Sequence, residues 1–159
     1  MKHVHKSVLL FYSPREMFSL VTAVQDYPNF LPWCDRAQVL APHEDGVTAQ
    51  VSIAFAGVHQ AFTTRNTHEL NHAVHMKLVD GPFSSLEGSW VFTPLQKPIG
   101  PDGQPGDPAD AAACKVEFTL KYAFSSRALS LVVSPVFDRI ANTFVEAFVR
   151  RAEQVYGPR

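Results

Sequence analysis

The chain opens on an alternation. Val4, Lys6, Val8, Leu10 and Tyr12 fall on one face of a first strand over Val4–Tyr12. Ser13-Pro14-Arg15-Glu16 then reads as a helix start: Ser13 caps, Pro14 suits the first helical position, and Glu16 completes a capping box. Met17, Phe18, Val21 and Val24 supply that helix's apolar stripe. After Cys34 the period becomes two. A weak strand over Arg36–Ala41 precedes turn residues Glu44-Asp45-Gly46, and Val47, Ala49, Val51, Ile53 and Phe55 alternate with Thr48, Gln50 and Ser52. Beyond Gly57 come strands over His59–Leu70 and Ala73–Asp80, joined near Asn71-His72. Ser85–Leu95 sets Leu86, Gly88, Trp90 and Phe92 on one face, and Cys114–Phe124 turns Val116, Phe118, Leu120, Tyr122 and Phe124 inward. Between these two lies Gln96–Ala113, with four prolines, three glycines and three aspartates, which predicts a flexible hairpin extension from which no core is built.

Helical spacing returns at the end. Val136, Phe137, Ile140, Ala141, Phe144, Val145, Phe148 and Ala152 form an apolar face from Pro135 onward, with Ser134 as its cap. Arg127–Val133 is expected as a turn or two of helix, broken before Pro135. This order predicts one α+β domain over residues 1–159: a curved antiparallel sheet of about seven strands around a long C-terminal helix, with two short helices after the first strand. A helix gripped by a curved sheet leaves room for a tunnel between the two.

Asp26–Cys34 (DYPNFLPWC) departs from that regularity. Tyr27, Phe30, Leu31 and Trp33 crowd between Pro28 and Pro32, which fix their own φ and donate no hydrogen bond. The segment is therefore bent, with a short helix expected from Pro28. Connections are ordinarily polar and superficial. One this apolar covers something, either the core or a cavity for an apolar ligand.

Composition narrows the function. Fourteen basic against fifteen acidic residues give a net charge of −1, which leaves no strong electrostatic footprint for nucleic acid and argues against DNA as a partner. Two cysteines, Cys34 and Cys114, are too few for a disulfide framework and fit a reducing compartment. Val8–Tyr12 is too short for a signal sequence's apolar region, and no run approaches the roughly 18 apolar residues of a membrane span. A soluble, cytoplasmic protein is expected.

Catalytic and metal motifs are weak. His68-Glu69-Leu70-Asn71-His72 matches H-E-x-x-H, but that motif holds zinc only on a helix, and here it straddles a strand end and a turn. Asp26, Asp35, Asp80 and Glu87 are scattered, and Cys34 reads as a structural thiol. No metal, cofactor or catalytic residue is expected. In Asp80–Leu95 (DGPFSSLEGSWVFTPL), Phe83 follows a turn as an exposed-looking aromatic, while Trp90 and Phe92 are either core or the wall of the cavity that the bent segment covers.

The two segments DYPNFLPWC and DGPFSSLEGSWVFTPL, in this order, resemble the START-like polyketide cyclase/dehydrase superfamily. Within it the likeness is to coenzyme Q-binding proteins and bacterial ribosome-association toxins. Phe62-Thr63-Thr64-Arg65-Asn66, Phe144-Val145-Glu146-Ala147-Phe148 and Arg151-Ala152 share it. The resemblance implies a helix-grip fold with a hydrophobic cavity. It implies a lid in Tyr27, Pro28, Phe30, Leu31, Pro32 and Trp33, and a second motif in Gly81, Pro82, Phe83, Gly88 and Trp90. Leu78, Phe92, Phe137, Ile140 and Phe144 complete the expected ligand contacts. The implied role is non-catalytic binding of a hydrophobic molecule, foremost ubiquinone, in support of respiration, with transient membrane contact. The alternatives are a toxin that binds the large ribosomal subunit and blocks subunit joining, for which Arg139, Arg150, Arg151 and Arg159 are the candidate cations, and an aromatic cyclase or dehydratase.

Overall fold

Seven strands form one antiparallel sheet in the order β1-β7-β6-β5-β4-β3-β2. In chain order they are β1 (Lys2–Leu10), β2 (Cys34–His43), β3 (Gly46–Phe55), β4 (Val58–Glu69), β5 (Ala73–Asp80), β6 (Phe83–Pro94) and β7 (Cys114–Phe124). The helices are α1 (Pro14–Thr22) and α2 (Arg127–Tyr156). This is a computed structural model, and it describes residues 1–96 and 99–159. The sheet curves around α2 in the helix-grip arrangement. α2 is long and apolar enough by composition to cross a bilayer. Here it is the core helix, with Phe137, Ile140 and Phe148 buried against the sheet.

The capping box forms as read: Ser13 Oγ accepts from the Glu16 N–H at 3.0 Å, and Glu16 Oε1 accepts from the Ser13 N–H at 2.9 Å. The second short helix is a 3-10 helix over Val24–Asn29, starting four residues before Pro28. Its start is set by Val24 and Tyr27, which eclipse at three-residue spacing and are both buried.

Two expectations at α2 and β6 are corrected. The C-terminal helix is not broken before Pro135; it runs unbroken from Arg127, capped by Ser126, whose hydroxyl accepts from the Leu129 N–H at 3.1 Å. Pro135 lies on the exposed face, so the carbonyl it leaves without a donor is open to water. Ser134 is internal to the helix and bonds Asp138 instead of capping. Phe83 is not exposed but buried: it begins β6 immediately after the Gly81-Pro82 turn, lies over Phe124 at 5.2 Å and meets Phe137 at 4.9 Å. Gly81 permits that turn, having φ of +149° and a position where a Cβ would stand 2.7 Å from Phe62 Cβ.

The extension at 96–113 includes residues 97–98, which lie outside the described residues. Its far end is docked on α1. Arg15 donates to Asp110 Oδ1 at 2.7 Å and to Asp107 Oδ2 at 3.0 Å, and Ala111 is only 1% exposed. That end therefore does add to the core, against the sequence reading.

Candidate ligand-binding cavity

Between the inner face of the sheet and α2 lies an apolar cavity of about 70 Å³. Ala49 and Val51 of β3, Phe62, Thr64 and Asn66 of β4, Met76 of β5, Leu86 of β6, and Phe118 and Leu120 of β7 form its floor. Phe137, Ile140, Ala141 and Phe144 of α2 form the roof, and Val24, Tyr27 and Trp33 close it from the bent segment. Gly88 widens the floor. A Cβ there would stand 2.9 Å from Met76 Cε and 3.0 Å from Leu120 Cδ1, so its absence lets both side chains lie along the sheet.

Of the residues singled out from sequence, Tyr27, Trp33, Phe137, Ile140 and Phe144 line this cavity. The rest sit around it. Phe30 lies outside Tyr27, edge-on to Phe148 at 5.1 Å, with the Arg151 guanidinium over its ring. Leu31 is buried in the core, Pro28 and Leu78 are half-buried, and Pro32 is exposed. Phe83 packs beyond the cavity on Phe124 and Phe137. Trp90 is behind Phe144 and Phe118, and Phe92 faces α1 through Phe18. Only part of the aromatic set meets the void, because other rings cover the rest: Phe118 and Phe144 cover Trp90, and Phe18 of α1 covers Phe92. The sequence reading did not select the other lining residues, among which Thr64 and Asn66 are the polar ones.

The lid is tied at both ends. Tyr27 donates its hydroxyl to the Val21 carbonyl at 2.5 Å, and the Ala54 N–H donates to the Trp33 carbonyl at 2.8 Å. Burial pushes the Tyr27 phenol well above its ordinary range, so it stays a donor. Cys34, directly after the lid, and Cys114 are buried thiols, pushed up by burial to about 11 and about 12. Both are expected to react with a disulfide reagent at pH 7.5 at least about 100-fold more slowly in the native protein than after unfolding. Native reaction at the unfolded rate would contradict this burial.

The H-E-x-x-H residues diverge. His68 faces inward, edge-on to Phe18 at 5.9 Å, and desolvation lowers its pKa. Glu69 pairs with His75 at 2.6 Å, and His72 is exposed in the turn.

A family model described as polyketide cyclase / dehydrase and lipid transport matches residues 10–149. The chain belongs to this family. Within the polyketide cyclase / dehydrase and lipid transport family, the ribosome association toxin RatA of Vibrio cholerae is 41% identical over 157 residues, covering 99% of each chain. The mitochondrial coenzyme Q-binding protein COQ10 homolog B of Xenopus laevis is 29% identical over 96% of this chain and 58% of its own. The Zhui aromatase/cyclase of Streptomyces sp. R1128 shares the fold, with a TM-score of 0.73 over 99% of each chain at 14% identity. The chain is thus similar in sequence to proteins named as a ribosome association toxin and a coenzyme Q-binding protein, and in fold alone to a named aromatase/cyclase.

Proposed function

We propose that the protein is a non-catalytic, cytoplasmic carrier that takes the ring of ubiquinone into the sheet–helix cavity and supports respiration. The observation that carries this reading is the cavity itself: apolar walls from five strands and α2, closed by an aromatic lid. Relatedness to a protein named for coenzyme Q binding points the same way. At about 70 Å³ the cavity is well below the hundreds of Å³ typical of small-molecule sites, so this is a closed state that a ligand enters by displacing Trp33 and Phe144.

Energetics fit exchange with a membrane. Each buried CH₂ is worth about 0.8 kcal/mol relative to water. A polyprenyl tail starts in lipid, already buried, so a carrier has to match the bilayer and not exceed it. The test is organic extraction of the purified protein, before and after loading with ubiquinone, followed by mass spectrometry. Recovery of quinone is expected, and its absence after loading would count decisively against the carrier. Trp33→Ala is expected to release quinone at least about tenfold faster while costing less stability than truncation of a fully packed ring. Collapse of the melting temperature with unchanged retention in the folded fraction would make Trp33 a core residue and nothing more.

A second reading, ribosome association, is favoured by the 41% identity to RatA and by a cationic row on the outer sheet face. Arg65, Lys77 and Lys121 stand in register there, interrupted by Glu87. Of the four arginines expected to serve, Arg139 lies over Phe55, Arg151 over Phe30 and Arg159 bonds Glu16, while Arg150 is exposed. Sucrose-gradient profiles decide this reading. An unchanged 70S fraction on adding the protein would dismiss it.

A further inference from the structure

The cavity wall is apolar except for the Thr64–Asn66 pair, the Tyr27 hydroxyl and the Trp33 indole N–H, and only the Thr64–Asn66 pair stands on the sheet floor. Thr64 and Asn66 both line it, both are buried, and Asn66 is only 7% exposed. The Thr64 hydroxyl donates to Asn66 Oδ1 at 2.7 Å. A buried hydroxyl proton needs an acceptor, and the amide oxygen supplies it, which turns the amide nitrogen the other way. Among the described residues Asn66 Nδ2 has no hydrogen-bond partner. Nor is it one of the fully covered orphan atoms, which are Ser85 Oγ and Trp90 Nε1. It therefore keeps open surface, and the space this side chain borders is the cavity.

The ground in front of Asn66 is kept clear. Asn66 stands opposite Met76, Met76 opposite Gly88, and Gly88 opposite Leu120 across the four strands. Gly88 lets the two flanking side chains lie back, as described above. The other hydroxyl bordering the cavity, that of Tyr27, is committed to the Val21 carbonyl.

We infer that Asn66 is the polar recognition group of the cavity, donating from Nδ2 to a neutral carbonyl oxygen on an otherwise apolar ligand, with Thr64 as its positioning residue. A primary amide nitrogen only donates, so it selects an acceptor. Among the described residues no Lys, Arg or His side chain lines the cavity, so an anionic oxygen would enter without a counter-charge, which burial disfavours strongly. A ketone or quinone ring meets both conditions, and an isoprenoid hydrocarbon does not. This inference rests on the carrier reading and names the element of specificity within it.

The test measures equilibrium dialysis of duroquinone against durene, the same methylated ring without its carbonyls, with ubiquinone of two isoprene units run in parallel. The quantity is the ratio of duroquinone to durene affinity, which cancels general hydrophobicity. In Asn66→Leu that ratio is expected to fall about tenfold, the scale of one buried hydrogen bond. Thr64→Val is expected to lower it by less, and Thr64→Ser to restore it. Circular dichroism confirms folding of each variant, and Asn66→Ala replaces Asn66→Leu should the latter not fold. An unchanged ratio in the folded Asn66 variant overturns the assignment while leaving an apolar carrier intact. Failure of the native protein to bind the ubiquinone, with an Asn66-dependent ratio retained, overturns the ubiquinone reading and upholds the donor.

Discussion

Trp90→Ala is expected to destabilise the fold by about 3–5 kcal/mol, the range for deleting a fully buried large aromatic. Trp90 is 1% exposed and sits at the centre of the aromatic core, 4.7 Å from Phe118, 5.1 Å from Phe148 and 5.7 Å from Phe144 between ring centroids. For a domain of this size the loss corresponds to roughly 10 °C or more in melting temperature. Its indole N–H has no hydrogen-bond partner, so the loss is one of packing alone. Trp90→Phe should therefore recover most of it. A drop of less than about 3 °C in Trp90→Ala, measured by calorimetry, would show that the surrounding rings close the gap.

Asp138→Ala is expected to cost about 1–3 kcal/mol, because it removes the acceptor of a buried tyrosine and of a serine at once. Asp138 on α2 accepts from Tyr122 at 2.5 Å and from Ser134 at 3.0 Å, and it pairs with the Lys2 ammonium. Tyr122 is buried while the Asp138 side chain is 34% exposed, so water replaces only part of what is lost. One carboxylate thus joins the first strand, the last strand and the gripped helix. Burial opposes its ionisation, but the hydrogen bonds from Lys2, Tyr122 and Ser134 outweigh that and hold its pKa below the ordinary 3.8. The sign follows from linkage: the stabilisation is complete above the unfolded value and is lost as pH falls through the lower folded value. The gap in melting temperature between native protein and Asp138→Asn should be constant near neutral pH and narrow below about pH 4. A gap that widens in acid would contradict the assignment.

What the sequence made legible, and what it did not, divides along physical lines. Strand alternation, the capping box at Ser13 and the apolar face of α2 are local, and local patterns survive folding. The bend over Asp26–Cys34 was legible because two prolines and three aromatics in nine residues admit few conformations. Trp90 and Phe92 could not be divided between core and cavity, since that depends on where α2 crosses the sheet. Pro135 misled because its cost depends on whether the orphaned carbonyl faces water, a tertiary property. Asn66 was missed for a subtler reason. Phe62, Thr64 and Asn66 keep a plain alternation along β4 and line the cavity, but two of the three are polar and Thr63 between them is also buried, so the pattern alone does not mark which face turns inward. A polar residue at an inward strand position was nonetheless a readable signal, since a strand face turned to a core is expected to be apolar.

The sheet does not close on itself, and its two margins carry a consequence for life in a crowded solution. β1 and β2 are the edge strands, and an edge strand is a template for pairing with another copy. Each margin is blunted differently. Lys2 and Lys6 place charge along β1, and Pro42 together with register breaks at Cys34/Arg36 and Val39/Ala41 distorts β2. Strand-to-strand polymerisation is thereby discouraged at both ends. The opening that the proposed carrier role requires would then proceed without recruiting neighbouring copies into a growing sheet.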